Sequence, residues 1–562
     1  MANPSLQIGN SNWAIKEDNL LGYSTAGTRF VPQPITMTRE SAGTRVNSSG
    51  LVETVELLGS ELVTNGSFTT DTDWTKGSNW TISGGSATSD GTDATSNLYQ
   101  TVVDFTNKTF LVEGFASNVT QGFVYVSLGG SDLQIVVNSN GSFKHYVTIS
   151  TANSTLFISA RNNFIGSIDN VSVKESTKNN LARVDYDGTA SSLLVEPERT
   201  NIAEYSENFI SGNFWGFQSL SKIDNSIISP DGTQNADKLY PSSTGDFRGL
   251  TKGFGSSLNA AAYNLSTFVK KGGKDFFFFY NIGSPQGSNG CWFNLSTGVI
   301  GTVGSAYTNV KIEDVGNDWF RCSATLNYGG TGDYVYLLMS DYNGSLTASV
   351  NGTDGIYLWG TQIEEGSYGT SYIPTDGGTV TRVQDQYEKT GISNLINSDE
   401  GVLFLEMAAL ADDGTNRYIS ISSSTTPSDD YIYFRFMSTS NRVLCRTRVG
   451  GSTINTIEKT ITDTTDYNKY AIKWKSGDYA FWINGVEVGT DTNSTIFGAD
   501  VLNQIRFDFP VGSGTFPSKV KQLQVYNTAL TDEQLLQLTG TSGTDFYESY
   551  AEMASALTYT IQ

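Results

Sequence analysis

Three cysteines, one histidine and eleven prolines are all that 562 residues hold of these types, and each scarcity excludes something. Cys291, Cys322 and Cys445 are odd in number and have no metal-ligand spacing, so neither a disulfide framework nor a thiolate zinc site is implied. Cys322 alternates with apolar neighbours in FRCSATL and reads as a buried core thiol. A Ser-His-Asp triad would have to be built around His145, yet no G-x-S-x-G elbow precedes a helix, and FKHYVTI reads as a surface strand. C-x-x-C and H-E-x-x-H patterns are lacking, which argues against zinc. No apolar run reaches the length of a membrane span. Basic residues are also scarce: 35 Lys and Arg against 57 Asp and Glu leave −22, a charge that disfavours nucleic acid and anionic membranes as partners. The opening MANPSLQIGNSNW has neither a basic start nor an apolar run, so the expectation is no secretory signal and synthesis in a cytoplasm. N-x-S/T triplets at Asn65, Asn107, Asn140, Asn264 and Asn493 then read as polar strand surfaces.

What is abundant points to an all-β chain. Fifty-eight glycines, 12% aromatics and plentiful Ser, Thr and Asn suit short strands joined by tight turns, and the length suggests roughly three or four domains. Residues 1–56 begin with a stretch to about 38 in which no period persists; it reads as an extended attachment arm for a neighbouring subunit, or as a disordered tail. Residues 57–174 alternate with period two in TFLVEGF, FVYVSL and STLFISA, and residues 202–382 repeat this grammar through NLSTFVKKGGKDFFFFYN and VGNDWFRCSATLNY. Residues 383–540 hold further strands; in YAIKWK, Tyr470, Ile472 and Trp474 share one face, and Asn484-Gly485 predicts a two-residue hairpin. Thr531 and Gln534 predict a capping box for a helix that Gly540 ends, and residues 541–562 place Phe546, Tyr550, Met553 and Leu557 on one helical face.

Two stretches carry a resemblance. RESAGTRVNSSGLVETV (39–55) and NNLARVDYDGTASSLLVEPERTN (179–201) together resemble one hinge segment of tailed-bacteriophage virion proteins, split here by an inserted block. The ending GIYLWGTQIEEGSYGTSYIPT resembles the same family. The block 57–174, opening NGSF…W…W and closing IDNVSV, resembles jelly-roll carbohydrate-binding modules, and 202–382 reads as a second jelly roll. Residues 383–540 resemble the laminin-G or concanavalin A-like lectin sandwich. The resemblance implies two jelly rolls and one lectin-like sandwich in a tail or head fibre, localised to the virion, that adheres to host cell-surface polysaccharide. Its partners would be other virion proteins of tail, baseplate or capsid, with self-association as a trimer.

Sugars present apolar C–H faces on which exposed aromatics stack. The glycan-binding candidates are Trp74, Trp80 and Tyr99 in turn-rich parts of the first roll and Trp215 in the second; for the tryptophans a core position is the competing reading. Trp319, Trp359 and Trp474 alternate within strands and read as core. No cofactor is required. Carbohydrate-binding jelly rolls often hold a structural calcium, and the matching positions are Asn65 and Asp169; Asp185-Tyr-Asp187-Gly188 resembles part of a calcium loop but reads as a turn. Catalysis is not expected, since the E-x-D-x-x-E strand of glucanases that share the concanavalin A fold is missing. Two rival readings stand beside adhesion. A capsid or baseplate scaffold would bury the turn tryptophans, and a polysaccharide depolymerase would need paired carboxylates about 5 to 9 Å apart in a cleft.

Overall fold

The computed structural model describes residues 3–540 apart from 27, 103–107, 129–134, 150–154, 213, 245, 256–257, 285–286, 330 and 515. Among them the chain is nearly all strand, with one helix, and it divides into two compact units, residues 56–178 and the remainder. In the smaller unit two long strands, Lys108–Leu128 and Thr155–Thr177, pair antiparallel along most of their length. Their register shifts near Gly114, Asn118 and Gly122, and such bulges bend a strand enough for it to serve both layers of a sandwich. Phe110, Val112, Val126, Ile158, Ile168 and Val173 fill the space between the layers. The closing strand lies beside the opening one, with Thr177 opposite Leu57.

The larger unit holds two sandwiches. The first is built from two six-stranded antiparallel sheets. Phe277, Phe279, Cys291, Phe293 and Leu337 of one sheet meet Leu265, Cys322, Ala324, Leu326 and Leu358 of the other. On the outside of the second sheet, Phe268, Trp319, Trp359 and Tyr372 pack with Val52, so the strand Val52–Thr54 covers that face. Trp319, Trp359 and Cys322 are core, as their alternation predicts.

The second sandwich uses more of the chain than residues 383–540. One sheet runs through Arg183–Asp187, Ala190–Val195, Ser518–Tyr526, Glu400–Ala409, Asn468–Lys475, Tyr479–Ile483 and Val486–Asp491. The other runs through Asn19–Ala26, Arg29–Thr38, Gln386–Thr390, Gln504–Arg506, Arg417–Ser422, Tyr431–Phe436, Arg442–Val449 and Ser452–Thr460. Tyr470, Ile472 and Trp474 face the core between them, and Asn484-Gly485 forms the two-residue turn with positive φ at both residues. The Asp187-Gly188 segment is a hairpin turn, as read, and Asp185 accepts from the Val46 amide at 2.8 Å and the Lys519 ammonium at 2.8 Å. The N-terminal arm is a correction. Leu6–Gly9 pairs with Ser518–Tyr526, and Leu6, Ile8, Leu20, Ile35 and Met37 are core residues of this sandwich, so residues 6–38 complete their own chain's sheets. An unpaired edge is a template for foreign strands, and these residues cover it. The helix Asp532–Thr539 carries the predicted Thr531–Gln534 capping box and packs Leu535 against Val402, Phe404 and Trp482. The face of Phe546, Tyr550, Met553 and Leu557 lies outside the described residues.

The hinge residues converge on one buried charge network. Arg39 donates to Asp385 at 2.7 Å, Arg183 bridges Glu196 at 2.5 Å and Asp385, and Arg382 reaches Glu196 at 3.1 Å. The Ser371 amide and hydroxyl each donate to Glu196 at 2.7 Å. Burial alone would raise the pKa of Glu196, but Arg382, Arg183 and Ser371 outweigh it and hold the carboxyl well below its ordinary range. Asn201 donates to the carbonyls of Thr361 and Ile373, which locks the second half of the hinge onto the GIYLWGTQIEE strand. The motif residues therefore join the two sandwiches of this unit; no ligand is needed to explain them.

Candidate functional site

The four aromatic candidates are not the exposed platforms that glycan stacking requires. Trp74 is 8% exposed, Trp80 4% and Trp215 1%. Trp74 packs on Phe68 at 5.1 Å between ring centres and donates its indole N–H to the Asn65 carbonyl at 3.1 Å. Trp215 packs on Phe214 and donates to the Tyr205 carbonyl at 2.8 Å. Each turn folds its indole inward because the ring supplies core area while a nearby carbonyl satisfies the N–H. Tyr99 is half-buried against Phe157 at 5.4 Å. His145 is exposed on its strand, as read.

Asn65 organises a turn: its Nδ2 donates to the carbonyls of Thr70 at 2.7 Å and Thr72 at 3.0 Å. Asp169 accepts from the Asn170 amide at 2.6 Å and side chain at 3.1 Å. The Val171 amide bonds to the Gly66 carbonyl at 2.9 Å and ties the two segments together, but the two side chains share no hydrogen-bond partner. Among the described residues no group of three His, Cys, Asp or Glu side chains is placed around a common point that could hold a metal.

The aromatic surface that sequence reasoning missed lies on the outer face of the second roll. Strand Phe276–Ser284 turns Phe277 and Phe279 inward and Phe278 and Tyr280 outward. Pairing then sets a row across the sheet: Gly216, Thr251, Tyr336, Tyr280 and Gly290 lie opposite one another in turn. In the adjoining row Tyr334 is opposite Gly253. A Cβ on Gly253 would come within 2.6 Å of the Tyr334 ring, so the glycine lets that ring lie over its strand. Gly290 likewise leaves space for the rings of Trp292 and Tyr280. Phe247 approaches from a loop, 5.5 Å from Tyr336 and 5.4 Å from Tyr280, while Tyr334 and Tyr336 are tilted by 36° at 6.3 Å. Tyr334 is 48% exposed and Tyr336 half-buried. Thr251, opposite Tyr336, is buried beside the rings. The signal was present in FFFFYN and DYVYLL, where aromatics occupy both alternating sets and so must populate both faces.

A polar cleft of about 530 Å³ opens elsewhere on the same roll, lined by Glu207, Asp224, Asn225, Asp237 and Asp376 among others. Two of its carboxylates, half-buried Glu207 and buried Asp237, serve the fold. Glu207 accepts from the Tyr372 hydroxyl at 2.7 Å, and Asp237 from Lys222 at 3.0 Å and the Asn225 amide at 3.0 Å. Burial raises the pKa of both, against the pull of those donors.

A family model described as the concanavalin A-like lectin/glucanases superfamily matches residues 405–536, which lie in the second sandwich. No curated protein matches the chain. Among solved structures, the Ruminococcus gnavus IT-sialidase CBM40 bound to alpha2,3 sialyllactose is 16% identical, covers 25% of this chain and 83% of its own, and has a TM-score of 0.23. The N-terminal CBM22-1-CBM22-2 tandem domain from Paenibacillus barcinonensis Xyn10C is 14% identical, with 55% and 98% covered and a TM-score of 0.19. Mouse laminin alpha1 chain domains LG4-5 are 11% identical, with 51% and 86% covered and a TM-score of 0.19.

Proposed function

We propose that this chain is a non-enzymatic glycan-binding protein of a tailed-phage virion, serving host-surface adhesion in a tail or head fibre. The half-exposed Tyr334, lying over Gly253 beside Tyr336 and Phe247, is the observation that carries glycan binding. A flat, exposed ring excludes water from a sugar's C–H face. The lectin-family match of residues 405–536 supports the same class of ligand. The phage assignment rests on the resemblance of residues 39–55, 179–201 and 355–375 to the hinge and closing segments of virion proteins. One shallow site binds weakly, so several copies on a fibre would supply avidity of about 100-fold or more. A scaffold or decoration role is the second reading, and the burial of Trp74, Trp80 and Trp215 favours it.

A glycan array separates the two readings. Wild-type protein is expected to retain a host polysaccharide, and the double substitution Tyr334→Ala, Tyr336→Ala to lose about tenfold or more in affinity, since each 1.4 kcal/mol is a decade. Trp80→Phe should leave binding unchanged. A blank array, or a double variant that binds like wild type, leaves the scaffold reading.

A structural calcium held by Asn65 and Asp169 belongs to the same proposal. Both side chains offer oxygens of the type hard cations take, and the Val171 amide–Gly66 carbonyl bond ties together the segments that carry them. Melting of the unit 56–178 is expected at higher temperature in millimolar calcium than in chelator, because an ion bound only to the folded state stabilises it. Superimposed melts would remove the ion from the proposal.

A further inference from the structure

The larger sheet of the second sandwich turns three arginines without an ion-pair partner to its outer face. On strand Tyr431–Phe436 the outward residues are Tyr431, Tyr433 and Arg435; on Arg442–Val449 they are Leu444, Arg446 and Arg448. Pairing sets Tyr431 opposite Arg448, Tyr433 opposite Arg446 and Arg435 opposite Leu444. The three guanidiniums are thus neighbours, two of them one pleat repeat apart on one strand and the third diagonal on the next. Like charges so placed repel, and a carboxylate among them would relieve it. The same face shows what relief looks like: Arg442 pairs with Glu458 at 2.6 Å, and Arg506 with Glu388 and Asp508. Arg435, Arg446 and Arg448 take part in no ion pair among the described residues, in a chain of net charge −22.

Their geometry is that of held, half-buried donors. Arg446 lies 5.9 Å from the Tyr433 ring centre and donates to the Thr456 hydroxyl at 3.0 Å; Arg435 lies 5.8 Å from the Tyr418 ring. Tyr418, Tyr431, Tyr433 and Phe509 form one aromatic floor, with ring centres 5.1 to 5.9 Å apart. Burial pushes the Tyr433 phenol up to about 12 against the pull of both arginines, so it stays a neutral hydroxyl beside them. The Nε atoms of Arg435 and Arg448 are buried without a partner, and Thr453 and Thr456 on the flanking strand are exposed. Guanidiniums without a carboxylate, set over tyrosine rings, suit a planar carboxylate or a sulfate carried on a sugar ring: the cation takes the anion while the aromatic floor takes the ring.

We infer that this face, with Arg435, Arg446 and Arg448 as its cations, binds an acidic glycan bearing carboxylate or sulfate groups. A nucleic acid is disfavoured, because three cations cannot offset the repulsion of the remaining charge. The site is separate from the tyrosines of the second roll, and each can fail without the other.

The full-length chain is assayed on immobilised polygalacturonate, dextran sulfate and neutral dextran. Binding to at least one polyanion is expected, weakening as salt rises from about 50 to 300 mM, with none to dextran; which polyanion binds distinguishes carboxylate from sulfate ester. Arg435→Gln, Arg446→Gln, Arg448→Gln together should lose at least about tenfold and Arg446→Lys less, because charge is kept and only the fork is lost. Should the triple variant unfold, Arg448→Gln alone gives the test: its guanidinium holds no partner, so the fold is retained and affinity falls two- to threefold or more. Tyr334→Ala should leave polyanion binding intact. Equal binding to dextran, binding to single-stranded DNA alone, or an Arg448→Gln variant indistinguishable from wild type overturns the inference.

Discussion

Replacing Arg183 with methionine is expected to destabilise the larger unit by about 3–5 kcal/mol, the cost of breaking a buried charge network. Arg183 is fully buried and touches both carboxylates, so its loss leaves Arg382 as the one cation on Glu196 and Arg39 as the one on Asp385. The folded-state pKa of Glu196 is depressed, so its contribution is complete above the ordinary glutamate value and is lost as pH falls through that value toward the folded one. Wild-type protein should therefore lose stability on acidification below about pH 4.5, and Arg183→Met should show a shallower acid limb because its Glu196 gains less from ionising. Denaturant midpoints measured across pH test this. A loss under about 1 kcal/mol at neutral pH would mean that water already reaches the network.

The all-β class and the core of the last sandwich were legible because they rest on local signals. Period-two alternation placed Tyr470, Ile472 and Trp474 on one face, and Asn-Gly marked the hairpin. Residues 6–38 gave no such signal. Leu6–Gly9 is buried on both faces, so it has no alternation to read, and its partner Ser518–Tyr526 lies at the other end of the chain. Pro32 and Pro34 argue against a strand, yet they sit where Arg29–Thr38 has a neighbour on one side only: Gln386–Thr390 pairs with it just at residues 36–38. Long-range edge pairing is set by tertiary context, and nothing nearby in the sequence encodes it.

The candidate sites were less legible, for a related reason. A tryptophan among turn residues reads as exposed, but a turn with a free carbonyl can draw the indole inward, as at Trp74 and Trp215. Tyr334 and Tyr336 read as ordinary strand residues; only the pairing with Gly253 and Thr251 shows that they share an outer face. The arginines 435, 446 and 448 look unremarkable in YIYFRF and VLCRTRV until register sets them side by side. The charged residues of the hinge motif serve the fold: Arg39, Arg183 and Glu196 are buried where the two sandwiches join.

Excising residues 56–178 and bridging the gap with a few glycines and serines is expected to leave the larger unit folded, with both of its sandwiches intact. The excised unit has its own core, from Val63 and Phe68 to Val171 and Val173, and its opening and closing strands pair with each other. The host retains its own contacts on either side of the cut: the Val55 amide bonds to the Gly43 carbonyl at 2.9 Å and the Asn180 amide to the Arg39 carbonyl at 2.8 Å. Closing a loop of about 120 residues costs some 3 kcal/mol more than closing one of four if the loop is flexible, and much less if it is folded with its ends together. The host should therefore be unchanged or more stable by up to about 3 kcal/mol, and the isolated unit should melt cooperatively. Circular dichroism of the two fragments beside the parent gives the answer: two transitions that add up to the parent's mark an autonomous insert, whereas an aggregating host fragment would mean that residues 56–178 are needed for its folding.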